Sequence, residues 1–509
     1  MRTPTTFAAL ATLAVTLALA GCATLPGPTE RAATHASSDV ADTSLARIAA
    51  ASAPSDRANL SGFRLLADDG DAFEARLALL RKAEKTIDVQ YYLIASDATG
   101  LEFLGALSDA AARGVRVRVL VDDLYATGQD AVFAALANRA NVEVRLFNPL
   151  PVRGGSFARR VTLSLHEFSR INHRMHNKLM IVDGSFAITG GRNIADEYFA
   201  RSGAAHFIDM DLLSSGAVIG PLAAIFDRFW NSPYAYPVQE LATATPSADR
   251  FASRPARGDS TGHASLAAEL AAGRVEQRFA PARVLADAPE RILDNDPGRA
   301  DSTVMQAHLE LLSSARSSVL VASPYFVPGA DGLAALREAR SHDARFMVMT
   351  NSLATTDEPL VHFGYARYRL ALLKLGVTVH ELMPMREGPA DDEAGERHVG
   401  SLGRLHAKLV VVDERWLSIG SMNMDRRSAR CNTEVAIVID DPVLAQEVVA
   451  FLERGRASGS YALRLADDGK RVEWVDHAGS RAVRKEPRPA GGPGLKSRLA
   501  SFFVSEDML

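Results

Sequence analysis

Two histidines, two lysines and two asparagines recur in this chain at matched spacing. The first set is His176-Asn-Lys178-Leu-Met-Ile-Val-Asp183, followed after six residues by Gly190-Gly191-Arg192-Asn193. The second is His406-Ala-Lys408-Leu-Val-Val-Val-Asp413, followed after six residues by Gly420-Ser421-Met422-Asn423. The offset is constant at 230 residues, from 176 to 406 and from 193 to 423. A lone His-x-Lys carries little information; two copies that agree over 18 positions carry a great deal. Brought together, the two sets suit a phosphodiester. One imidazole can attack phosphorus, the other can protonate the departing alcohol, and the Lys and Asn side chains neutralise the oxygens. Because side chains supply the positive charge, neither a metal nor a cofactor is required. No His/Asp/Cys cluster with metal-ligand spacing stands elsewhere.

The elements around the motifs explain the spacing. Residues i and i+2 of a strand face the same way, so each His and its Lys point together. Four apolar residues after each Lys anchor the strand in a core. Asp183-Gly184 reads as a hairpin turn that returns the chain to Asn193, and the two Asp residues hold geometry rather than attack. The glycines are expected to permit close backbone approach to a phosphate.

Strand and helix patterns alternate through the body. Strands are expected at 86–94, 115–121, 142–147, 318–323, 345–350 and 377–381, with helices at 100–113, 128–139, 331–340 and 360–375. This is an α/β protein of two lobes, each a mixed β-sheet flanked by helices, with the site at a pseudo-twofold interface. Lobe 1 is expected over 61–241 and lobe 2 over 266–509, including a C-terminal extension. An Ala/Ser/Thr/Pro/Gly-rich linker (242–265) joins them, and a charged loop runs from Met385 to Arg404.

The composition excludes several classes. The chain has 509 residues, 47% of them apolar, and a net charge of −4, which gives no global reason to bind nucleic acid. Its only cysteines are Cys22 and Cys431, too few for a disulfide scaffold, and Cys431 is expected as a small buried apolar group. Arg2 and the apolar run Phe7–Ala20 have the form of a signal peptide, residues 1–21, too short to span a bilayer. The run ends in Leu19-Ala20-Gly21-Cys22, which resembles the lipobox of bacterial lipoproteins and implies acylation of Cys22. Ala23 stands where an Asp would signal inner-membrane retention. A lipoprotein on the periplasmic side, at the outer rather than the inner membrane, is therefore expected. Residues 22–60 read as a flexible tether with no sustained apolar stripe, although part of it could be a short helix docking on the domain.

The paired motifs resemble those of the phospholipase D superfamily. Flanking segments narrow the resemblance to its cardiolipin synthases, of the C type: Ile87-Asp-Val-Gln-Tyr-Tyr92, His206-Phe-Ile-Asp209-Met-Asp211, Phe229-Trp-Asn-Ser232, Ser323-Pro-Tyr-Phe-Val-Pro328, Gly364-Tyr-Ala-Arg-Tyr368, Met424-Asp-Arg-Arg-Ser428 and Asn432-Thr-Glu434. It implies the bilobal phospholipase D fold and transfer of a phosphatidyl group between phospholipids. It also implies catalytic roles for His176, Lys178, Asp183, His406, Lys408 and Asp413, with Asn193 and Asn423 on the substrate. The resemblance assigns Asp209 as partner of His176 and Glu434 as partner of His406, with Asp211 a rival for the first role.

The expected reaction makes cardiolipin from phosphatidylglycerol, with phosphatidylethanolamine as a possible second donor, through a phosphohistidine. A hydrolase releasing phosphatidic acid would use the same residues, and a non-enzymatic lipoprotein is a third reading that two complete motifs oppose. The expected partners are phospholipids and, through Cys22, the membrane. A monomer is expected, no nucleic acid, and an accessory protein is left open. His176 is expected to attack and His406 to act as acid, because Arg153, Arg159, Arg160, Arg170, Arg174 and His173, opposed only by Glu167, make the approach to His176 basic. That patch could hold an anionic headgroup or the membrane surface, or be a solvated basic helix.

Overall fold

A computed structural model describes residues 25–27, 31–55, 59–201, 206–241, 265–293, 302–384, 403–476, 482–483 and 485–488. Cys22, residues 242–264, and residues 385–402 of the charged loop lie outside the described residues.

The β-branched runs form two sheets built to one plan. The first contains β1 (Ser61–Leu66), β2 (Thr86–Tyr91), β3 (Arg116–Asp122), β4 (Val142–Phe147), β5 (Leu179–Val182), β6 (Phe186–Gly190) and β7 (Asp211–Gly216). The second contains β8 (Ala282–Ala286), β9 (Ser318–Ala322), β10 (Arg345–Asn351), β11 (Thr378–Leu382), β12 (Leu409–Val412), β13 (Trp416–Gly420) and β14 (Val435–Asp440). Their spatial orders correspond strand for strand, β4-β3-β2-β5-β6-β7-β1 and β11-β10-β9-β12-β13-β14-β8. In each, the first three strands run parallel. From the central β2 and β9 onward, neighbours are antiparallel. Parallel strands need crossover helices, which is why Ala98–Ala112 and Gly329–Ser341 follow β2 and β9. Leu179, Ile181 and Leu212 of the first sheet join Leu409, Val411 and Ile419 of the second in one buried cluster, so the two lobes share a core.

Both motif aspartates hold hairpins, as the spacing requires. Asp183 and Gly184 lie in the left-handed region (φ 47° and 52°) between β5 and β6. The Asp183 carboxylate accepts the N–H groups of Glu84 (2.9 Å), Lys85 (2.8 Å) and Thr86 (2.9 Å), fastening the turn to the start of β2. Asp413 does the same for Arg316, Ser317 and Ser318, at 2.7–3.0 Å.

Three expectations are corrected. Much of the 22–60 tether is docked: Arg31 donates to the Ala235 carbonyl (2.8 Å), and the Ala36 N–H to Asp227 (2.8 Å). The helix Ser44–Ser52, capped by Thr43, buries Leu45 and Ile48 in the core of lobe 1. Lobe 2 does not begin at 266. The helix Leu266–Ala272 packs on the helix Asp69–Lys82 of lobe 1, and Arg278–Ala280 pairs with β1, so lobe 1 reclaims the chain as far as Ala280. The helix expected over 360–375 is two helices, Pro359–Ala366 and Arg369–Lys374. No helix among the described residues is long and apolar enough to cross a membrane.

Candidate active site

Two very short strand pairs bind the lobes to each other and set the site. Arg174–Met175 runs parallel to Asn432–Thr433, and His206–Ile208 runs parallel to Gly403–Leu405. The next residues continue the register: the His176 N–H donates to the Thr433 carbonyl (2.9 Å), and the His406 N–H to the Ile208 carbonyl (2.8 Å). Each motif histidine therefore faces the acid that follows the strand of the other lobe. Nδ1 of His176 lies 3.0 and 3.1 Å from the two oxygens of Glu434, and Nδ1 of His406 lies 2.7 Å from Asp209. This reverses the expected pairing, in which each lobe supplied its own acid. Asp211 is no rival, because it is committed to the buried Arg76 (2.8 Å) and Arg192 (3.4 Å).

The Gly-small-x-Asn extension shapes these acids. A Cβ on Gly190 would collide with Asp211, one on Gly191 with the Asp209 carboxylate, and one on Gly420 with the Val435 carbonyl. The glycines thus make room for neighbouring protein groups rather than for a phosphate, which corrects the expectation drawn from the sequence. Ser421 stands where lobe 1 has Gly191, and its hydroxyl donates to Glu434 (2.5 Å). Arg192 holds the Asp209 carbonyl (2.8 Å).

His176, Lys178, Asn193, His406, Lys408 and Asn423 are all buried. Lys178 donates to the His176 carbonyl (2.7 Å) and lies 5.3 Å from the Tyr92 ring, while Nζ of Lys408 stands 2.9 Å from Nδ1 of His406. Asn193 donates to the Tyr198 hydroxyl (2.9 Å). The Oδ1 atoms of Asn193 and Asn423 are buried without a hydrogen-bond partner. A carboxamide both donates and accepts, so each retains hydrogen-bonding capacity toward a ligand. Tyr92 presents its edge to His176 (5.0 Å), and Tyr198 does so to His406 (5.1 Å). No role was legible for either tyrosine in the sequence, although Tyr92 ends one of the quoted segments.

The two histidines sit in unlike fields. Burial lowers the pKa of His176 well below its ordinary value, and the positive charges of Lys178, Lys408, His406 and Arg427 add to the effect. Burial also lowers His406, and Lys408 adds to this, but its bond to Asp209 works in the opposite direction. The acids diverge as well. Burial raises Glu434 to about 7 against the pull of Lys178. For Asp209, burial is outweighed by the hydrogen bond and charge of His406, with Lys408 and Arg192, and its pKa falls to about 2. Burial brings Lys178 down to about 7 and Lys408 to about 8, countered chiefly by Glu434 and Asp209 respectively.

The basic approach to His176 is largely neutralised inside the fold. Arg160 pairs with Asp123 (2.6 Å), Arg174 with Asp122 (2.6 Å), and Arg170 with Glu167 (2.5 Å), while Arg153 joins Asp123 and Asp130. Of the five arginines only Arg159 is exposed. The opposing aspartates are distant in sequence, so the local count overstated the patch. Cys431 is buried, as a small apolar group would be.

The family model described as "Cardiolipin synthase, PLD-like domain" matches residues 77–230 and 308–455. The chain is 35% identical over 451 residues to cardiolipin synthase C of Escherichia coli (strain K12), covering 86% of this chain and 94% of that protein. It is 26% identical over 389 residues to the major cardiolipin synthase of Bacillus subtilis (strain 168), covering 76% and 67%. Among solved structures, phosphatidylserine synthase of Haemophilus influenzae Rd KW20 aligns with a TM-score of 0.54 at 15% identity, over 79% of this chain and 90% of that one, a likeness of fold.

Proposed function

The chain belongs to the cardiolipin synthase family of phospholipase D-like proteins, and from that premise we infer that it is a phosphatidyltransferase that makes cardiolipin through a covalent phosphohistidine. One observation carries the mechanism: each motif histidine is held by a carboxylate from the opposite lobe, and burial raises one of these acids while its histidine partner lowers the other.

His176 is the nucleophile. Its depressed pKa keeps the imidazole neutral, and Glu434 fixes the proton on Nδ1, leaving the Nε2 lone pair free for phosphorus. His406 is the acid. Ionised Asp209 favours its imidazolium, which protonates the departing headgroup oxygen as the donor P–O bond breaks. Lys178, Lys408, Asn193 and Asn423 take the charge of the non-bridging oxygens. In the second half-reaction neutral His406 accepts the proton of a phosphatidylglycerol hydroxyl. That oxygen attacks phosphorus, the P–N bond breaks, and cardiolipin leaves with His176 restored.

The test supplies detergent-solubilised protein with phosphatidylglycerol, alone and with phosphatidylethanolamine, and identifies the products by mass spectrometry. Cardiolipin that rises with acceptor concentration supports transfer; phosphatidic acid at every acceptor concentration would replace it with hydrolysis. We also propose that Cys22 is acylated and holds the protein on the periplasmic side of a membrane, the outer one in view of Ala23. The support is the Leu19-Ala20-Gly21-Cys22 sequence. Cys22→Ser should abolish acyl labelling and release exported protein into the soluble fraction; unchanged membrane association would contradict it.

A further inference from the structure

Within the segment between β4 and the first motif, the stretch Phe157–Phe168 exposes its large apolar side chains while Arg160 is buried. Its helix Phe157–Leu163 buries Arg160 and exposes Phe157 and Leu163. Beneath it, Arg160 donates to the Val152 carbonyl (3.2 Å), Thr127 (2.8 Å) and Asp123 (2.6 Å). Arg170 in the next turn donates to the Pro149 carbonyl (2.9 Å) and to Glu167. Leu165 and Phe168 follow, 50% and 46% exposed. A segment shaped for water would point its guanidinium groups outward and its large apolar side chains inward.

These side chains do not stand alone. Seven large apolar side chains are exposed among the described residues, and four belong to this segment. Tyr125 is a fifth and stacks on Phe157 (5.9 Å). Leu293 is a sixth, at the end of the turn Pro289–Leu293 that packs against Phe168–Ile171. Only Val443 lies on another element. The patch also runs into the site: Phe157 touches Tyr125, Tyr125 meets Tyr92 edge-on (5.4 Å), and Tyr92 meets His176 (5.0 Å).

We propose that residues 156–171, with Tyr125 and Leu293, form the surface by which this protein enters the face of a phospholipid bilayer, placing the approach to His176 at headgroup level. The proposal rests on the phosphatidyltransferase reading, because the substrate it serves keeps its acyl chains in a membrane while its phosphate reaches a buried imidazole. Apolar side chains inserted just below the headgroups, with Arg159 exposed beside them at phosphate level, is how a surface-lying segment binds lipid. The patch is distinct from any N-terminal tether: a tether sets the distance from the membrane, whereas the patch sets which face is turned to it.

The test uses the full chain and the variant Phe157→Ser/Leu165→Ser/Phe168→Ser, whose exposed sites leave the core untouched. Phosphatidylglycerol is supplied either in vesicles with phosphatidylcholine or as a short-chain form below its critical micelle concentration. The expected result is at least a tenfold loss of turnover on vesicles with turnover on the monomeric lipid within twofold, and no loss for Val443→Ser on either. Equal turnover of the triple variant and the parent on vesicles would overturn the proposal. If the parent converts neither form, the transferase reading fails, and a second measurement still decides the surface. A photoreactive phenylalanine analogue in place of Leu165, irradiated on vesicles, should capture phospholipid. Capture of a second copy of the chain would instead make the patch an interface between copies, and capture of neither would overturn the proposal.

Discussion

At the scale of single residues, the division of labour between two equivalent histidines comes from what touches their Nδ1 atoms. Asp209, with a pKa of about 2, keeps a full negative charge on His406, whereas Glu434, near 7, does not press a proton onto His176. Asp209→Asn should therefore cost the acid step, with kcat falling about 10²–10⁴-fold, the usual worth of general acid catalysis. A donor lipid carrying p-nitrophenol, whose departure needs no proton, should recover most of the first half-reaction in that variant. It should not rescue Glu434→Gln, whose defect lies in orienting the nucleophile. Equal rescue of both variants would contradict the assignment. The His, Lys, Asp and Asn positions were legible in the sequence because their spacing repeats. The exchange of acids between lobes was not, since nothing near Asp209 or Glu434 in the chain states which strand will lie beside them. The one local signal was the mismatch within the motif itself: Gly191, where an acid must fit closely, against Ser421, where a hydroxyl holds one.

At the scale of elements, three-residue strands do work out of proportion to their length. Gly403–Leu405 positions His406 against Asp209, and a Cβ at Gly403 would collide with the His206 carbonyl of the paired strand. Gly403→Val should displace His406 and lower kcat by at least about 10²-fold, the scale of a 1 Å misplacement. Circular dichroism and the denaturation midpoint should change little, because the large sheets are not touched; a loss of both together would mean the pairing is needed to fold. The neighbouring helix Arg426–Arg430 is capped by Asp425, which accepts the Ser428 N–H (2.6 Å) and which burial raises to about 7. Between its ordinary value of 3.8 and about 7 the unfolded chain ionises Asp425 while the folded chain does not, so its contribution to stability is present below that window and lost across it. Asn caps as well as Asp. Relative to the parent, Asp425→Asn should gain on the order of 2–4 kcal/mol between pH 4 and pH 8, read from urea midpoints. A constant difference would contradict the raised value. Elements with a strong period, such as β3 and the helix Ala98–Ala112, were readable from sequence. The segment 156–171 was legible only as part of a basic stretch, suited to a headgroup, a membrane surface or solvent alike; its exposed apolar side chains stand out once Asp123, brought from the end of β3, neutralises Arg160 and the preceding Arg153.

At the scale of the whole molecule, a seven-strand plan occurs twice, and the site exists only where the copies meet. Each lobe contributes a histidine that it cannot itself orient and a carboxylate that it cannot itself use. This makes the interface more than a place of contact: the shared core around Leu179, Ile181, Leu409 and Val411 keeps in register two reacting histidines and the two carboxylates that hold them. The repeat was visible in the sequence through its constant offset, and with it the bilobal α/β architecture. The docking of Arg31–Ser52 and the return of Leu266–Ala280 to lobe 1 were not, because low-complexity Ala/Ser/Thr stretches carry no periodic stripe to mark the few side chains they bury. The most direct measurement of the central claim is to quench the reaction under alkaline conditions with donor phosphatidylglycerol labelled in its phosphate, digest the protein, and sequence the labelled peptide. Phosphohistidine at His176, chased into cardiolipin by unlabelled acceptor, is the expected result. Label at His406, or no covalent label while cardiolipin accumulates, would contradict it.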